Sequence, residues 1–483
     1  MSVVAQPSAE RSLWRNRRFM RFWSGQAVSQ FGDRVTELAM PLIAATTLHA
    51  SATEVAALTA LLWTPNLAAI VLGAWVDQHA SKRRLMVAAD LASALVLLSL
   101  PAAYLAGAVT LGQLYAVALL MGTAAVLFNI SYKSFFAHLV PRAAYMDANG
   151  KLSTTLSASY VAGPAIAGAL IQALSAPIAV IADAASFLAS AFLVRGTLIK
   201  EPPPAAGQRP LRHRVREGLT YVARHPVLRI TLGCAATVNF FTFVAGTGLT
   251  VLFATRVLRL SAGGIGLALG IGAVGSLLGA VIAPPLSRWW GIGPSIAAGA
   301  FLFPAPIAIA AVATGPLWVR GGALALSEFL AGIGVMLFDI NLNSLQTAVI
   351  HDDIRSRVAG AYSALNYGVR PAGALAGGLL ATAVGLRPTL LVAAAGGALS
   401  VLWLVFSPVL RIRTLDQAPA HPIRRAEARV IGHCRRASLG SRHDRRTHHL
   451  GSGILARRVG LGRRRLGPSG RRPRRHADDT AWP

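Results

Sequence analysis

The chain has 483 residues, of which 54% are hydrophobic and only 14% are charged. A protein surrounded by water could hardly keep so apolar a composition dispersed, so an ordinary soluble domain is excluded and a bilayer protein is indicated. The net charge of +28 does not indicate a nucleic-acid partner, because half of it lies near the end of the chain, where nineteen Arg accompany five Asp or Glu from Arg411 onward.

Twelve apolar segments, each long enough to cross about 30 Å of hydrocarbon, follow one another along the chain. They predict an all-α integral membrane protein with twelve transmembrane helices. The predicted spans are 19–48, 52–76, 85–107, 111–138, 149–172, 176–196, 226–256, 262–286, 293–313, 317–346, 357–383 and 387–408. The predicted domains are a cytoplasmic N-terminal tail (1–18), a six-helix bundle (19–196), a cytoplasmic central loop (197–225), a second six-helix bundle (226–408) and a basic cytoplasmic tail (409–483).

The distribution of Lys and Arg between the spans predicts the orientation of the chain. In the first half, the gaps after spans one, three and five hold no Lys or Arg, whereas the alternate gaps are basic. The bias is weaker in the second half, so the first half decides. It places both termini and the central loop in the cytoplasm, and we predict a multi-pass protein of the bacterial cytoplasmic (inner) membrane. The basic residues of those gaps are Lys82, Arg83, Arg84, Arg142 and Lys151.

The tail from about residue 414 is rich in Arg, Gly and His and shows no sustained hydrophobic period, which is typical of a disordered segment. Two interpretations are open: electrostatic contact with anionic lipid or RNA, and an extension without a selected role. We favour the second, and we expect neither a nucleic-acid partner nor an obligate protein partner.

Two short patterns of the first half recur in the second half, in the same order and at offsets of 210 and 207 positions. Duplicated halves are common in transporters, whose halves rock around a shared site. We therefore predict two pseudo-symmetric six-helix bundles. The matching residues are Phe128, Ile130 and Ser134 with Phe338, Ile340 and Ser344, and Tyr160 and Pro164 with Tyr367 and Pro371.

The loop after the second span carries a glycine, an acid and three basic residues at fixed spacing: Gly73, Asp77, Lys82, Arg83 and Arg84. An ordinary positive-inside loop would explain the basic triplet but not Gly73 and Asp77. We expect Gly73 to let helices approach closely and Asp77 to anchor a neighbouring helix. The pattern resembles the signature between spans two and three of the major facilitator superfamily. The resemblance implies the fold of that superfamily and a gating role for this loop.

Two further segments resemble the branch of that superfamily that contains macrolide-efflux and siderophore-export proteins. One is the polar and aromatic start of the chain at 13–33. The other is Gly163, Pro164 and Gly168 in span five, which looks like the antiporter glycine–proline motif of that branch. The resemblance implies export of a small amphiphilic molecule in exchange for protons.

The chain also departs from that pattern in two places. The fourth span has no charge at 119–122, where the best-known twelve-span drug antiporters carry an arginine before a glycine. In the second-half copy of the loop signature, Arg288 stands where an acid would be expected. A cytoplasmic gate that uses Asp77 would therefore be asymmetric.

Four polar residues of the first span are spaced by four, three and four positions, so they project from one side of a helix, which should face away from lipid. An ionised carboxylate at bilayer depth is costly, so protonation becomes a practical alternative, as a proton-coupling group requires. Asp33, near the predicted midplane, is the first candidate. The alternative is a permanent structural pair between Asp33 and Arg34 or another base. The four residues are Gln26, Gln30, Asp33 and Glu37.

The tenth and eleventh spans carry a second polar set. Arg370 lies near mid-depth, where an unpaired guanidinium would be very costly, so we expect it to pair with a carboxylate. Protonation that breaks this pair is a hypothesis for the switch between inward- and outward-open states. The sequence does not choose the partner among Asp33, Glu37, Glu328 and Asp339. The amides and the phenol that are candidates for the substrate cavity are Asn239, Asn343, Tyr362 and Asn366, together with Gln26 and Gln30.

Other polar and aromatic residues of the spans are given a structural interpretation. Three charged residues should lie nearer helix ends, where snorkelling or a local salt bridge is cheap. Four aromatic residues could line a pocket, but such side chains are more often packing or interfacial anchors. The charged residues are Asp90, Lys133 and Asp183, and the aromatic residues are Trp63, Phe240, Phe241 and Phe243.

Several motifs are missing from the sequence. It contains no phosphate-binding Gly-x-x-x-x-Gly-Lys-Ser/Thr loop and no His/Cys cluster at zinc spacing inside the spans, so we expect no cofactor, no metal and no enzymatic activity. Three functional classes remain: a proton antiporter that exports a drug-like or siderophore-like amphiphile, a uniporter or lipid flippase on the same fold, and a membrane scaffold that does not transport. The expected partners are a small amphiphilic substrate, protons and membrane lipid.

Overall fold

The computed structural model describes residues 13–79, 81–141, 144–199, 211–350 and 354–417. Each of the twelve predicted spans is present as one helix or as a run of consecutive helices. The first half contains α1 (Arg17–Leu42), α2 (Ala52–Trp63), α3 (Ala69–Gln78), α4 (Lys82–Leu105), α5 (Leu111–Leu139), α6 (Tyr145–Leu174) and α7 (Ala176–Arg195). The central segment contains α8 (Leu211–Arg224). The second half contains α9 (Pro226–Ala245), α10 (Thr247–Arg256), α11 (Ala262–Trp290), α12 (Ile292–Leu302), α13 (Ile307–Val312), α14 (Leu317–Val349), α15 (Arg355–Val384), α16 (Leu386–Ala398) and α17 (Leu402–Val405).

The interruptions within spans have local causes. The second span changes to a 3-10 turn at Thr64–Ala68, where Pro65 lacks the N–H that an α-helical hydrogen bond needs. The seventh breaks between α9 and α10 at Gly246, whose φ of 43° ends the right-handed helix. The ninth breaks between α12 and α13 at a turn that contains Pro304 and Pro306. Polar or proline-bearing breaks at membrane depth are tolerated where neighbouring helices cover them.

Nine helical segments of the described chain are long and apolar enough to cross a membrane. The three predicted spans outside that set are α1, the α2–α3 pair and α15. The physical reason is charge in α1, which carries Asp33, Arg34 and Glu37, and interruption in the second span, where α2 has 12 residues and α3 has 10. The eleventh span, α15, contains Arg370 and other polar residues in its N-terminal half. Helices of this kind are covered by neighbouring helices rather than by lipid.

Among the described residues, the buried apolar cluster that combines both halves lies at one end of the helices. The largest core combines side chains from 35–187 and 244–393. A second core lies within 222–412 and a third within 13–194, so each of these belongs to one half. We call the end that holds the shared core the joined end: it contains the C-terminal end of α1 and the N-terminal end of α2. The opposite end, where each half has its own core, is the separated end.

Close helix crossings between the halves lie near the joined end. A Cβ atom at Gly168 of α6 would lie 2.6 Å from the carbonyl oxygen of Ala262 and 3.0 Å from the Cα atom of Gly266 on α11. Between α2 and α15, the hydroxyl oxygens of Thr53 and Thr382 are 2.7 Å apart. Small residues at these crossings let the helix backbones approach, which is how helices associate in lipid.

Two predicted boundaries differ from the structure. The central loop, predicted at 197–225, contains α8, in which Val222 is buried and Tyr221 donates a hydrogen bond to the carbonyl oxygen of Val349. The chain also packs beyond residue 408, because the N–H of Gly293 donates to the carbonyl oxygen of Ile412 at 2.8 Å. The N-terminal tail up to residue 12 and the tail from residue 418 lie outside the described residues.

Candidate functional site

A cavity of about 250 Å³ lies between the halves, bounded by α1 and α6 on one side and by α10, α11 and α14 on the other. Its wall is mostly apolar, with Leu38, Leu269, Phe303 and Val335 among the lining residues. The charged groups on the wall are Arg34, Glu37 and Glu328. An apolar wall with a few polar groups is the usual composition of a small-molecule site.

Arg34 is held by residues of the first half. Its guanidinium forms an ion pair with Glu37 on the same helix and lies 4.4 Å above the ring of Tyr160 on α6. A Cβ atom at Gly163 would lie 2.3 Å from the Cγ atom of Arg34, so a glycine is needed where this side chain crosses α6. The sequence left open an ion pair between Asp33 and Arg34. In the structure Arg34 pairs with Glu37 instead. In the sequence, Tyr160 stands out as a residue that is repeated in the second half, and nothing there indicates that it contacts Arg34.

Asp33 is near enough to Asp90 and Asp183, two acids that were expected near helix ends, for their charges to interact. Asp183 accepts hydrogen bonds from Thr36 on α1 and, at 3.0 Å, from Ser186. Asp90 on α4 is 2% exposed, and its Oδ2 atom has no hydrogen-bond partner in the described part of the chain. The expected position near helix ends is wrong for both, because they lie inside α4 and α7 and are buried.

The close contact between α1 and α7 depends on one small residue. A Cβ atom at Gly32 would lie 2.4 Å from the Oδ1 atom of Asp183 and 2.2 Å from the hydroxyl oxygen of Ser186. In the sequence, the polar residues at 183, 186 and 190 indicate this cluster, because these positions lie on one side of a helix. Lys133, the third residue of that set, is exposed.

The structure places the predicted polar residues of the tenth span in different surroundings. Glu328 lines the cavity, and within the described residues it makes no hydrogen bond or ion pair. A Cβ atom at Gly272 would lie 2.8 Å from its Cβ atom, so α11 and α14 cross closely beside it. Asp339 is half-buried further along α14, and Asn343 is exposed. Asn341, which was not singled out, is buried and accepts a hydrogen bond of 2.6 Å from Ser287.

Arg370 has polar and aromatic partners instead of the expected carboxylate. Its Nε atom donates to the Oδ1 atom of Asn239 at 2.8 Å, and Asn239 donates to Asn366 at 3.1 Å. The guanidinium carbon lies 4.1 Å from the ring centre of Tyr367 and 4.2 Å from that of Trp63. The prediction of an acidic partner is wrong for the described residues, because none of their carboxylates forms an ion pair with it. An amide and aromatic faces together replace the acid.

The remaining candidates for the cavity are more enclosed. Gln26 is 8% exposed and its Nε2 atom is buried without a partner among the described residues, as is the Oε1 atom of Gln30. Tyr362 is buried in the core of the second half, away from the lining of the cavity. Pro164 lines the cavity, and its carbonyl oxygen would lie 2.3 Å from a Cβ atom at Gly266.

The loop signature is partly described. Lys82 donates to the carbonyl oxygen of His79 at 2.7 Å, and Arg83 donates to the carbonyl oxygen of Arg195 at 2.6 Å. The expected close approach at Gly73 is wrong for the described residues, among which a Cβ atom there would meet Ile130 at 3.9 Å, an ordinary contact. The side chain of Asp77 lies outside the described part, and for Arg84 the structure gives a backbone N–H bond to Ser81.

No group of three or more His, Cys, Asp or Glu in the described residues could hold a metal ion.

Comparisons with known proteins agree on one family. The family model of the Major Facilitator Superfamily matches residues 22–374. The uncharacterized MFS-type transporter YfiS of Bacillus subtilis (strain 168) is 27% identical over 239 residues, which cover 48% of this chain and 55% of that relative. The match thus spans about half the length of the curated relative.

Solved structures share the fold at low sequence identity. A bacterial homologue of the iron transporter ferroportin, in an inward-facing state, has a TM-score of 0.65 and 19% identity and covers 81% of this chain and 98% of its own. The nucleoside transporter NupG has a TM-score of 0.63 and 12% identity and covers 80% of this chain and 98% of its own. Both show the fold alone. The family model matches most of the chain, and the chain therefore belongs to the major facilitator superfamily, a family of membrane transporters rather than enzymes.

Proposed function

We propose that this protein is a secondary active transporter that exports a small amphiphilic molecule across the bacterial cytoplasmic membrane by alternating access, in exchange for protons. The observation that carries the proposal is the cavity between two halves whose shared apolar core, in the part of the chain that the structure describes, lies at one end. A carrier of this kind needs a site that one end closes while the other end can open.

The positive-inside distribution of Lys and Arg predicts which end of the protein faces the cytoplasm. In that orientation the separated end faces the cytoplasm and the joined end faces outward. The conformation is then inward-open, the state in which an exporter takes up its substrate. Drug-like, macrolide-like and siderophore-like molecules all fit the requirement of an apolar body with a few polar groups, since the cavity wall is mostly apolar.

The carboxylates supply candidates for proton coupling. Glu37 and Glu328 line the cavity, and Asp33 lies in the same stretch of α1 beside a second buried acid, Asp183. Two neighbouring acids in an apolar bundle cannot both stay ionised cheaply, so one of them is suited to exchange a proton during the cycle. Asp33 remains the first candidate, and Glu328 is the acid that reaches the cavity without a hydrogen bond or ion pair from the described residues.

An efflux experiment in bacterial cells that lack their major efflux pumps tests this proposal. Cells that express the full chain are loaded with macrolides, dyes or siderophores, and retained compound is measured with and without a protonophore. We expect at least one compound to be expelled only while the proton gradient stands. In Asp33→Asn, expulsion of that compound should fall about tenfold or more. The matched control is Glu54→Gln, because a surface capping box accepts either side chain.

The other functional classes give different results. Export that survives collapse of the gradient and tolerates Asp33→Asn would indicate a uniporter or flippase, in which the acids only connect helices, as Asp183 does with Thr36. If no compound moves, the antiporter claim fails and a scaffold becomes the better hypothesis. Removal of the basic tail should begin after Gln417, because Ile412 still packs against α12. Loss of function with the spans still folded would then assign a role to the tail.

A further inference from the structure

The guanidinium of Arg370 is incompletely satisfied. Its Nε atom has Asn239 as a partner, but the described residues give its two terminal nitrogens no hydrogen bond. Neither nitrogen is among the fully buried polar atoms without a partner in the described chain, and Arg370 itself is half-buried. Leaving such a group unpaired near the middle of a membrane is costly. The free edge of a guanidinium is also the geometry that binds a carboxylate, sulfonate or phosphate through two parallel hydrogen bonds.

Aromatic side chains from both halves fix the orientation of this group. Tyr367 and Phe243 of the second half and Trp63 of the first half place their ring centres 4.1, 4.8 and 4.2 Å from the guanidinium carbon. Asn239 holds the Nε edge and is itself held by Asn366. The terminal edge is thus held in a fixed position outside the lining of the cavity, beside aromatic rings of which Tyr367 is 38% exposed. Such preorganisation by supporting residues is what a binding site requires.

The other charged groups of the region are arranged differently. Arg34, on α1 of the first half, already has Glu37 as its ion-pair partner. Asp339 on α14 is near enough to Arg370 for a favourable charge interaction but forms no ion pair with it. Asp339 can therefore act as an internal competitor for an anion, whereas Arg34 does not offer a second free cation.

We infer that Arg370 binds the anionic group of an amphiphile whose apolar or aromatic body lies against Trp63, Phe243 and Tyr367. This inference rests on the proposed function, since it names the substrate class of that transporter: an organic monoanion. The opposite possibility, a cationic amphiphile held by Glu328 in the cavity, is an outcome of the test below.

Three probes with one aromatic body and different charge provide the test: pyrenebutyrate, pyrenebutanol and pyrenebutylamine. Binding to the purified full chain in lipid nanodiscs is measured by energy transfer from tryptophan to pyrene, with empty nanodiscs as blank. We expect the butyrate to bind more tightly than the alcohol or the amine. Arg370→Gln should weaken butyrate binding by roughly tenfold to hundredfold, the loss of hydrogen bonds to a charged group, and leave the alcohol unchanged. Arg370→Lys should lie between, because lysine cannot form the fork.

The controls separate a lost site from a lost fold. Arg229→Gln removes an exposed arginine from α9 and should change nothing. Asp339→Asn should tighten butyrate binding severalfold, and a misfolded protein does not produce such a gain. Equal affinity of wild type and Arg370→Gln for the butyrate, while the alcohol binds, overturns the inference and leaves the transporter proposal intact. Tighter binding of the amine, lost in Glu328→Gln, also overturns it. If none of the three probes binds, the inference is overturned, whereas the proposed function is decided separately by the efflux experiment.

Discussion

The crossing of α6 and α11 gives a quantitative test of how the joined end closes. In Gly168→Ala, the new methyl group would lie 2.6 Å from the carbonyl oxygen of Ala262, whereas ordinary contacts begin at 3.4 Å. The carbonyl oxygen of Ala262 and the Cα atom of Gly266, which would lie 3.0 Å away, both belong to backbone. The helices α6 and α11 must therefore move apart. Overpacking of this kind costs about 1–3 kcal/mol, which corresponds to a shift of roughly 5–150-fold toward states with this end open.

The assay uses a reporter on the other side of the joined end, so that a local disturbance is not mistaken for opening. Ala56 of α2 is 1% exposed and faces Gly378 of α15. We expect Ala56→Cys, in a chain without Cys234 and Cys434, to react slowly with a membrane-impermeant maleimide. Gly168→Ala should accelerate the reaction by a factor in the range above.

Gly150→Ala is the matched control for that experiment. It lies on the same helix, and a Cβ atom there would have nothing within 4 Å, so the labelling rate should not change. If Gly168→Ala labels as slowly as its parent, the close crossing does not hold the joined end shut, and the reasoning from helix distance to conformational state is refuted.

Two further predictions concern contacts between helices. The pair Thr53→Cys and Thr382→Cys, introduced where the hydroxyl oxygens are 2.7 Å apart, should form a disulfide that stops transport until a reductant is added; crosslinking without loss of transport would show that this end need not open. Gly32→Ala should lower the free energy of unfolding in detergent by about 2–5 kcal/mol through overpacking and loss of buried hydrogen bonds. Gly25→Ala, on the same helix with its nearest contact at 3.4 Å, should have a much smaller effect; equal losses in a denaturant titration would contradict the explanation.

The fold was predictable because the bilayer imposes strong constraints. Length and apolarity locate a span without knowledge of its neighbours, and duplication indicates the second bundle. The breaks at Gly246 and near Pro304 did not obscure the spans, because the hydrophobic run continues through each break. The helix in the central segment was missed since its apolar positions, such as Val222, are few and its charge is high.

The site was less predictable, because hydrogen-bond partners come from helices that are distant in sequence. Of the four residues on the predicted polar face of α1, Glu37 lines the cavity, but which base meets Glu37 depends on how α6 crosses α1 at Gly163. Arg370 has no carboxylate partner in the described chain, because uncharged groups can also satisfy a guanidinium. An amide oxygen and three aromatic faces are not visible as partners until α2, α9 and α15 are brought together.

The two halves therefore differ in whether their arginine has an acidic partner. The first half presents Arg34 already neutralised by Glu37, whereas the second half presents Arg370 without an acid partner in the described chain. Closing the separated end would enclose that unpaired charge, which is costly unless an anion accompanies it. A bound substrate anion would remove this cost on the outward step, and Asp339, whose charge interacts with that of Arg370, could do so on the empty return. On this reasoning Asp339→Asn binds pyrenesulfonate more tightly yet transports it more slowly in inverted vesicles, because the empty carrier no longer closes readily. A variant that gained in both binding and rate would mean that Asp339 only competes with the substrate and has no part in the return.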